Sequence, residues 1–480
     1  MLLAIQLFLE AWCSFRGAAR ALTLFSKLTG LPCPSYSTIR QWVYRLGHYC
    51  LTQAPPFAGD WVMITDHTVE MGNQKCLATL GVGVERFKSG DYKLTHNDVR
   101  LLDLDVTVNP TGEQIADRFA TVVERFGYPV QIVADNASDL KKGYKLLCSS
   151  NPEESDPVYT YDITHLVAIK LKKELSDDLE WKSFTTAVTN TGKRLKQTDL
   201  QFLAPPKLRG KARFMNLDPL LKWSTKMLEF LGGHDFSGIG AGFRLSKELI
   251  PQFVTNNSTL LLSNLFEMSD QHFKTKDQFL EATQRCIGEQ AFTRFGDELI
   301  KKADLGREMA MEQLGWLQEV EDLKAFSEIQ EIAHVPLSVI KKQGLGMQTF
   351  HEVDRGIAKL DLTTTRANTF KDSLIEAVKI EASKIPKDTI LLGCSDVIES
   401  IFGKYKQISS RSPFKTMGQL VLTLPLMTAT LTVDLVRQGM ESIRNCDLEQ
   451  WVETSLGTSP LAQRRRALVA PKSGKNLAPC

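Results

Sequence analysis

At 480 residues the chain is too long for one compact core, and about two to four domains are expected. Apolar residues at 43% and charged residues at 24% exclude a fibrous or low-complexity polymer, and a net charge of +2 gives no bulk sign of nucleic-acid binding. Nine cysteines without a CxxC pair argue against a disulfide framework or a Cys/His metal site.

The distribution of charge says more than its sum. Residues 1–50 carry Arg16, Arg20, Lys27, Arg40 and Arg45 against Glu10 alone. Residues 451–480 carry Arg464, Arg465, Arg466, Lys472 and Lys475 against Glu453 alone, so the middle is net acidic. Basic ends around an acidic middle suit DNA contact at the ends and metal-binding carboxylates between them.

Met1–Trp12 is apolar but has no basic leader, contains Glu10 and meets no small-residue cleavage site before Arg16. It reads as a buried helix rather than a signal peptide. No stretch approaches the ~20 apolar residues of a membrane span, and a cytoplasmic protein without a membrane partner is expected. Ser14 can cap a helix with the stripe Phe15, Ala18, Ala19, Leu22 and Phe25. After the Gly30–Pro34 break, Ser35 or Ser37 caps a second helix that Gly47 should stop. Its inner face is Ile39, Val43 and Leu46; Thr38, Arg40, Gln41 and Arg45 lie outside. The pair reads as a helix-turn-helix presenting those four residues to DNA.

Beyond Ala54-Pro55-Pro56 the period changes to that of strands. Trp61–Asp66, Cys76–Phe87 and Val99–Val108 are three predicted strands. Thr111 opens a helix through Phe126, Val130–Asp135 is a fourth strand and Val158–Ile163 a fifth. Three meandering strands followed by βα units predict a mixed five-stranded α/β sheet with flanking helices, the RNase H-like order. From about 171 to 387 helical periodicity dominates, as in Phe279–Ile287 and Leu314 to Leu323. Thr389–Lys406 then reads as a return to the core through a helix carrying Glu399. The expected division is a helix-turn-helix domain over 1–53, a first core segment over 58–170, an all-α insertion over 171–387 and the return helix over 388–412. C-terminal helices over 413–458 and a basic disordered tail over 459–480 complete it.

Asp66 and Asp135 each close an apolar strand, where an unpaired charge would be costly without a cation. A third acid from a nearby helix would complete an oxygen cage for two Mg²⁺ or Mn²⁺ ions, the arrangement that supports in-line displacement at a phosphate. Asp139 is a nearby substitute for Asp135. Of Glu352, Asp354, Glu381, Asp396 and Glu399, the last is chosen. Its helix is amphipathic, and Lys404, Lys406, Arg411 and Lys415 follow with no intervening acid, where a phosphate backbone should pass.

Residues 58–170 and 388–410 together resemble bacterial insertion-sequence DDE transposases that carry a large insertion before the final Glu. In the Tyr-x2-Arg-x3-Glu-x6-Lys motif of one such group, Glu and Lys fall on Glu399 and Lys406, whereas the Tyr and Arg positions are Leu392 and Ser395. Asp162-Ile163-Thr164-His165 is similar to the Cys/Asp-x-x-His motif of several transposase superfamilies. The resemblance implies that Asp162 and His165 support the site from behind or touch DNA. The insertion is placed as in hAT transposases, where a Trp can stack on a base; Trp181, Trp223 and Trp316 are the candidates, with a core role the plainer expectation for each. Family members often have more sequence before the helix-turn-helix, and whether this copy is N-terminally truncated stays open. The implied activity is binding of the element's ends, metal-dependent hydrolysis and transfer of the 3′-hydroxyl to target DNA, by a homodimer or higher assembly. An RNase H-like nuclease or resolvase, and a domesticated DNA-binding protein without catalysis, are the alternatives.

Overall fold

The computed structural model describes residues 1–71, 74–150, 156–198, 200–208, 217–231, 310–410 and 418–457, with 464, 467 and 468. The chain forms two compact units. One comprises Met1–Val167, His334–Leu360 and Asp372–Cys480, and the other Ala168–Ala333 and Asp361–Lys371.

The first unit is built on a sheet of β1 (Trp61–Met71), β2 (Gln74–Gly83), β3 (Arg100–Val108), β4 (Gln131–Ala134) and β5 (Val158–Tyr161), in the order β3-β2-β1-β4-β5. β1 pairs antiparallel with β2, and β2 with β3, while β4 lies parallel to β1 and β5 parallel to β4. With helices on both faces and a helical insertion between β5 and the return of the chain, this is an RNase H-like fold.

Alternation along the strands separates two cores. Val62 and Ile64 of β1, with Cys76, Ala78, Leu80, Val82 and Val133, face α1 (Leu2–Leu9), α3 (Tyr36–Thr52) and a late helix, Asp396–Ser409. Trp61, Met63, Leu77, Leu102, Ile132 and Ala134 face the opposite layer, formed by α5 (Gly112–Phe126) and α6 (Ser138–Ser150). Thr111 caps α5 through a reciprocal box with Gln114, the start and stop that the sequence predicts.

Besides shifts of one or two residues at other strand ends, such as β5 stopping at Tyr161 rather than Ile163, three boundaries differ from the sequence reading. β1 does not end at Asp66 but runs on to Met71. Only its parallel ladder with β4 stops, at Thr65–Ala134, while the antiparallel ladder with β2 continues. The second strand stops at Gly83, and Val84–Ser89 turns into a short helix, α4, that buries Val84 and Phe87 at helical spacing. Finally, α3 passes through Gly47 to Thr52. Gly47 is a contact point: a Cβ there would lie 1.9 Å from the Leu422 carbonyl oxygen. α2 (Phe15–Thr29) and α3 are capped by Ser14 and Ser35, and Ile39, Val43 and Leu46 are fully buried.

The second unit contains α8 (Leu179–Leu195) and α9 (Asp218–Leu231), and no strand among its described residues. Trp181 is buried against Phe184 and Phe326. Trp223 donates to the Leu203 carbonyl and Trp316 to the Thr191 hydroxyl, so all three tryptophans are engaged in the unit's own packing. The predicted periodicity at 279–287 and most of the 459–480 tail lie outside the described residues.

Candidate active site

Parallel strands bring their carboxyl ends to one edge, and that edge is where open α/β sheets carry their chemistry. Asp66 sits on β1 directly after the last residue paired with β4, and the residue is only 9% exposed. The His67 N–H donates to its Oδ1 at 2.7 Å. Asp135 follows the last residue of β4, where its Oδ1 accepts from the Ala137 N–H at 3.1 Å and shapes the turn into α6. Burial, then the negative charge of Asp135 and, more weakly, that of Glu399, push the Asp66 carboxyl up to about 7; His165 and the His67 N–H oppose them.

Asp162 follows β5 and is almost wholly buried. Its Oδ1 accepts from the Thr164 N–H at 2.6 Å and the His165 N–H at 3.1 Å, capping α7 (Ile163–Leu175). Its Oδ2 accepts from the Ser395 N–H at 2.6 Å and from the Ser395 hydroxyl. Ser395 immediately precedes Asp396–Ser409, the helix that carries Glu399. Burial alone would raise the Asp162 carboxyl, but His165 and Ser395 hold it below its usual range.

Between these carboxylates lies His165, with Nδ1 3.7 Å from Asp162 Oδ2 and Nε2 3.3 Å from Glu399 Oε1. Burial pulls its pKa down, yet Asp162, with Asp66 and Glu399 adding, pushes it up to about 9. Glu399 is half-exposed, and its own pKa is raised by burial against the pull of His165.

The return segment is held by contacts that the sequence reading missed. Gln131 on β4 donates to the Leu392 carbonyl and accepts from the Leu392 N–H, so its side chain acts as a short strand for residue 392. Leu345 and Leu391 form a bridge beside it. Asp396 accepts from the Thr164 hydroxyl at 2.9 Å and pairs with Lys341 at 2.5 Å. Leu392 and Ser395, which depart from the Tyr and Arg of the motif, are thus the residues that dock this helix.

Asp66, Asp135 and Glu399 carry the carboxylate oxygens that hard divalent cations prefer. Among the described residues, however, no three His, Cys, Asp or Glu side chains stand close enough to hold one ion. Asp139 is engaged elsewhere, 3.1 Å from His67 Nε2.

The residues expected to meet DNA are placed unevenly. Arg40 is exposed at the start of α3, with Gln41 half-buried beside it. The Thr38 N–H and hydroxyl are joined to the capping Ser35 hydroxyl. Arg45 is turned inward: its guanidinium donates to the carbonyls of Met440 and Ile443, the latter at 2.6 Å, which commits it to tying α3 to the end of a C-terminal helix, Val433–Ser442. Lys406 is exposed on the helix of Glu399, Lys404 contacts His96, and Arg411 lies outside the described residues.

No family model and no curated protein sequence matches the chain. Among solved structures it is similar to a Drosophila P element transposase strand transfer complex, at 12% identity over 90% of this chain and 92% of that one, with a TM-score of 0.39. The chemistry of the site therefore rests on its own residues.

Proposed function

We propose that this chain is a DNA transposase of the DDE type, of the kind carried by bacterial insertion sequences, with Asp66, Asp135 and Glu399 as its acidic triad. The observation that carries this reading is that the buried Asp66 carboxyl, at the carboxyl edge of β1 and β4, feels the negative charge of Asp135 and, more weakly, that of Glu399, on a fold with a helical insertion before the third acid. Asp66, Asp135 and Glu399 would hold Mg²⁺ or Mn²⁺, two ions in the full site, which when bound supply activation of water or a 3′-hydroxyl and stabilisation of the leaving oxygen. His165 pairs with Glu399 through its Nε2. Asp162 fixes the starts of the helices that carry His165 and Glu399. The partners are double-stranded DNA, as the element's ends and as target, and a second copy of the chain, since two ends must be held together.

The test is cleavage of duplexes carrying the sequences that flank the reading frame, with Mg²⁺, Mn²⁺ or EDTA. Asp66→Asn, Asp135→Asn and Glu399→Gln should each lose metal-dependent cleavage by at least about 100-fold while still binding the duplex. Cleavage retained in any of the three would refute the triad.

One observation favours a second reading, a DNA-binding protein of this fold that no longer cuts: no three potential ligands among the described residues gather closely enough for an ion. A wild-type chain that binds the flanking duplex but shows neither cleavage nor a Mg²⁺-dependent rise in melting temperature would decide for it.

A further inference from the structure

The helix Asp396–Ser409 carries, one residue past Glu399, a network of hydrogen bonds that ends only in donors. Lys404 Nζ lies 2.5 Å from His96 Nδ1, and His96 Nε2 lies 2.9 Å from Ser400 Oγ. An ammonium group has no lone pair, so His96 Nδ1 must be the acceptor. The ring proton of a neutral His96 then resides on Nε2 and is donated to Ser400 Oγ. With its oxygen accepting, Ser400 has its own hydroxyl hydrogen left to give. Lys404 has two further N–H groups, and Ser400 is exposed. Burial, followed by the charge of Lys404, keeps the His96 pKa below its ordinary value, in keeping with the neutral ring.

The imidazole is held from behind by its own turn. His96–Asp98 is a short 3-10 turn in which Asp98 accepts from the Thr95 N–H and hydroxyl and pairs with Arg86 at 2.6 Å. Those bonds occupy the nearby carboxylate, while Glu399 is held by His165. Ser400 and Lys404, four residues apart on one helix, therefore present hydroxyl and ammonium donors on one side of the helix.

We propose that Ser400 and Lys404, aligned by His96, form a seat for one phosphate group, and that its occupant is a backbone phosphate of the DNA strand passing Glu399. The assignment to DNA rests on the function proposed above; the donor-only network does not. Phosphate is the fitting chemistry because a tetrahedral oxyanion accepts from several converging donors and neutralises the lysine. His96 is a positioning residue, contributing orientation but no charge.

The full-length chain in EDTA, so that no cleavage intervenes, is titrated with a short fluorescent duplex at several salt concentrations, and with inorganic phosphate followed by phosphorus NMR. Lys404→Gln should weaken duplex binding about 5- to 10-fold and lower the slope of log affinity against log salt by about one. His96→Ala and Ser400→Ala should weaken it about 3-fold with the slope unchanged, and Lys404→Arg should largely restore affinity. Thermal melting of each variant separates lost contact from lost fold. Wild-type duplex affinity, salt slope and phosphate binding in all three loss variants would overturn the seat, and a wild-type chain that binds phosphate but no duplex would overturn the assignment to DNA. Variants that lose inorganic phosphate but bind duplex normally would overturn the assignment to DNA. Cleavage with metal is scored apart: a wild type that cuts while the three variants bind normally loses the seat alone, whereas one that binds through the seat and never cuts loses the transposase reading alone.

Discussion

Ser395 is bound twice to one oxygen of Asp162: its backbone N–H donates at 2.6 Å and its hydroxyl donates to the same Oδ2. The two residues are 233 positions apart in sequence. The other oxygen of Asp162 caps α7, so a single buried carboxylate sets the starts of the helices bearing His165 and Glu399. Asp162→Asn presents an amide to donors on one side and should destabilise the chain by about 3 kcal/mol in urea unfolding. Because Asp162 also holds up the pKa of His165, the same substitution should lower it, as an NMR titration of the ring would report. An unchanged His165 titration would remove Asp162 from this role. Ser395→Ala, which keeps the backbone bond, should cost about 1 kcal/mol.

A second prediction concerns pH. The folded Asp66 carboxyl holds its proton up to about 7, against 3.8 ordinarily, with burial as the main cause. Its contribution to stability is therefore fully present below pH 3.8 and is lost as pH rises through about 7. Asp66→Asn carries no such titration. The difference in stability, variant minus wild type, should grow between pH 4 and pH 8 by an amount on the order of 4 kcal/mol at most. If the carboxylates do accept a divalent ion, Mg²⁺ at pH 8 should raise the melting temperature of the wild type and not of Asp66→Asn. A pH-independent difference would show that Asp66 is not held in an unfavourable charged state.

How much of this was legible before folding depends on the range of the interaction. The strands, the Thr111 box and the place of Asp135 directly after β4 follow from period and from neighbours in sequence. The continuation of β1 past Asp66 does not, because it depends on β2 offering a longer ladder than β4. The Asp162–Ser395 and Asp396–Lys341 contacts join segments separated by the insertion, and no local pattern announces them. His96 was passed over for the same reason: its partners lie more than 300 residues away, on the helix of Glu399. Lys404 was legible only as part of a basic run.

Gly47 offers a test of how firmly α3 belongs to the core. Sequence makes it a helix stop, but it lies mid-helix with the Leu422 carbonyl where a side chain would be. Gly47→Ala should stabilise an isolated helix and yet destabilise this chain, by about 3 kcal/mol, because the segment 419–426 must move. Thermal or urea unfolding measures it. A neutral or stabilising outcome would mean that the C-terminal segment does not press on α3 as described.

Arg45 and Arg40 stand on the same helix and should behave oppositely. Arg45 satisfies the carbonyls of Met440 and Ile443, where a helix ends and its last carbonyls lack intrahelical partners. Arg45→Met should therefore lower stability by about 1–2 kcal/mol while leaving the salt dependence of duplex binding unchanged. Arg40 is exposed and half a turn from Thr38, at the end of α3 that a helix-turn-helix would present to DNA. Arg40→Ala should leave the melting temperature within a degree or so, as expected for a surface change, and reduce duplex affinity several-fold. Fluorescence anisotropy on the same duplex, with melting curves alongside, measures both variants. If Arg45→Met lost affinity without losing stability, the guanidinium would be free to leave its carbonyls for a phosphate, and the outer face of α3 would extend further along the helix than the fold indicates. If Arg40→Ala left affinity untouched, α3 would serve the core alone, and the DNA contacts of this chain would have to be sought on the helix of Glu399.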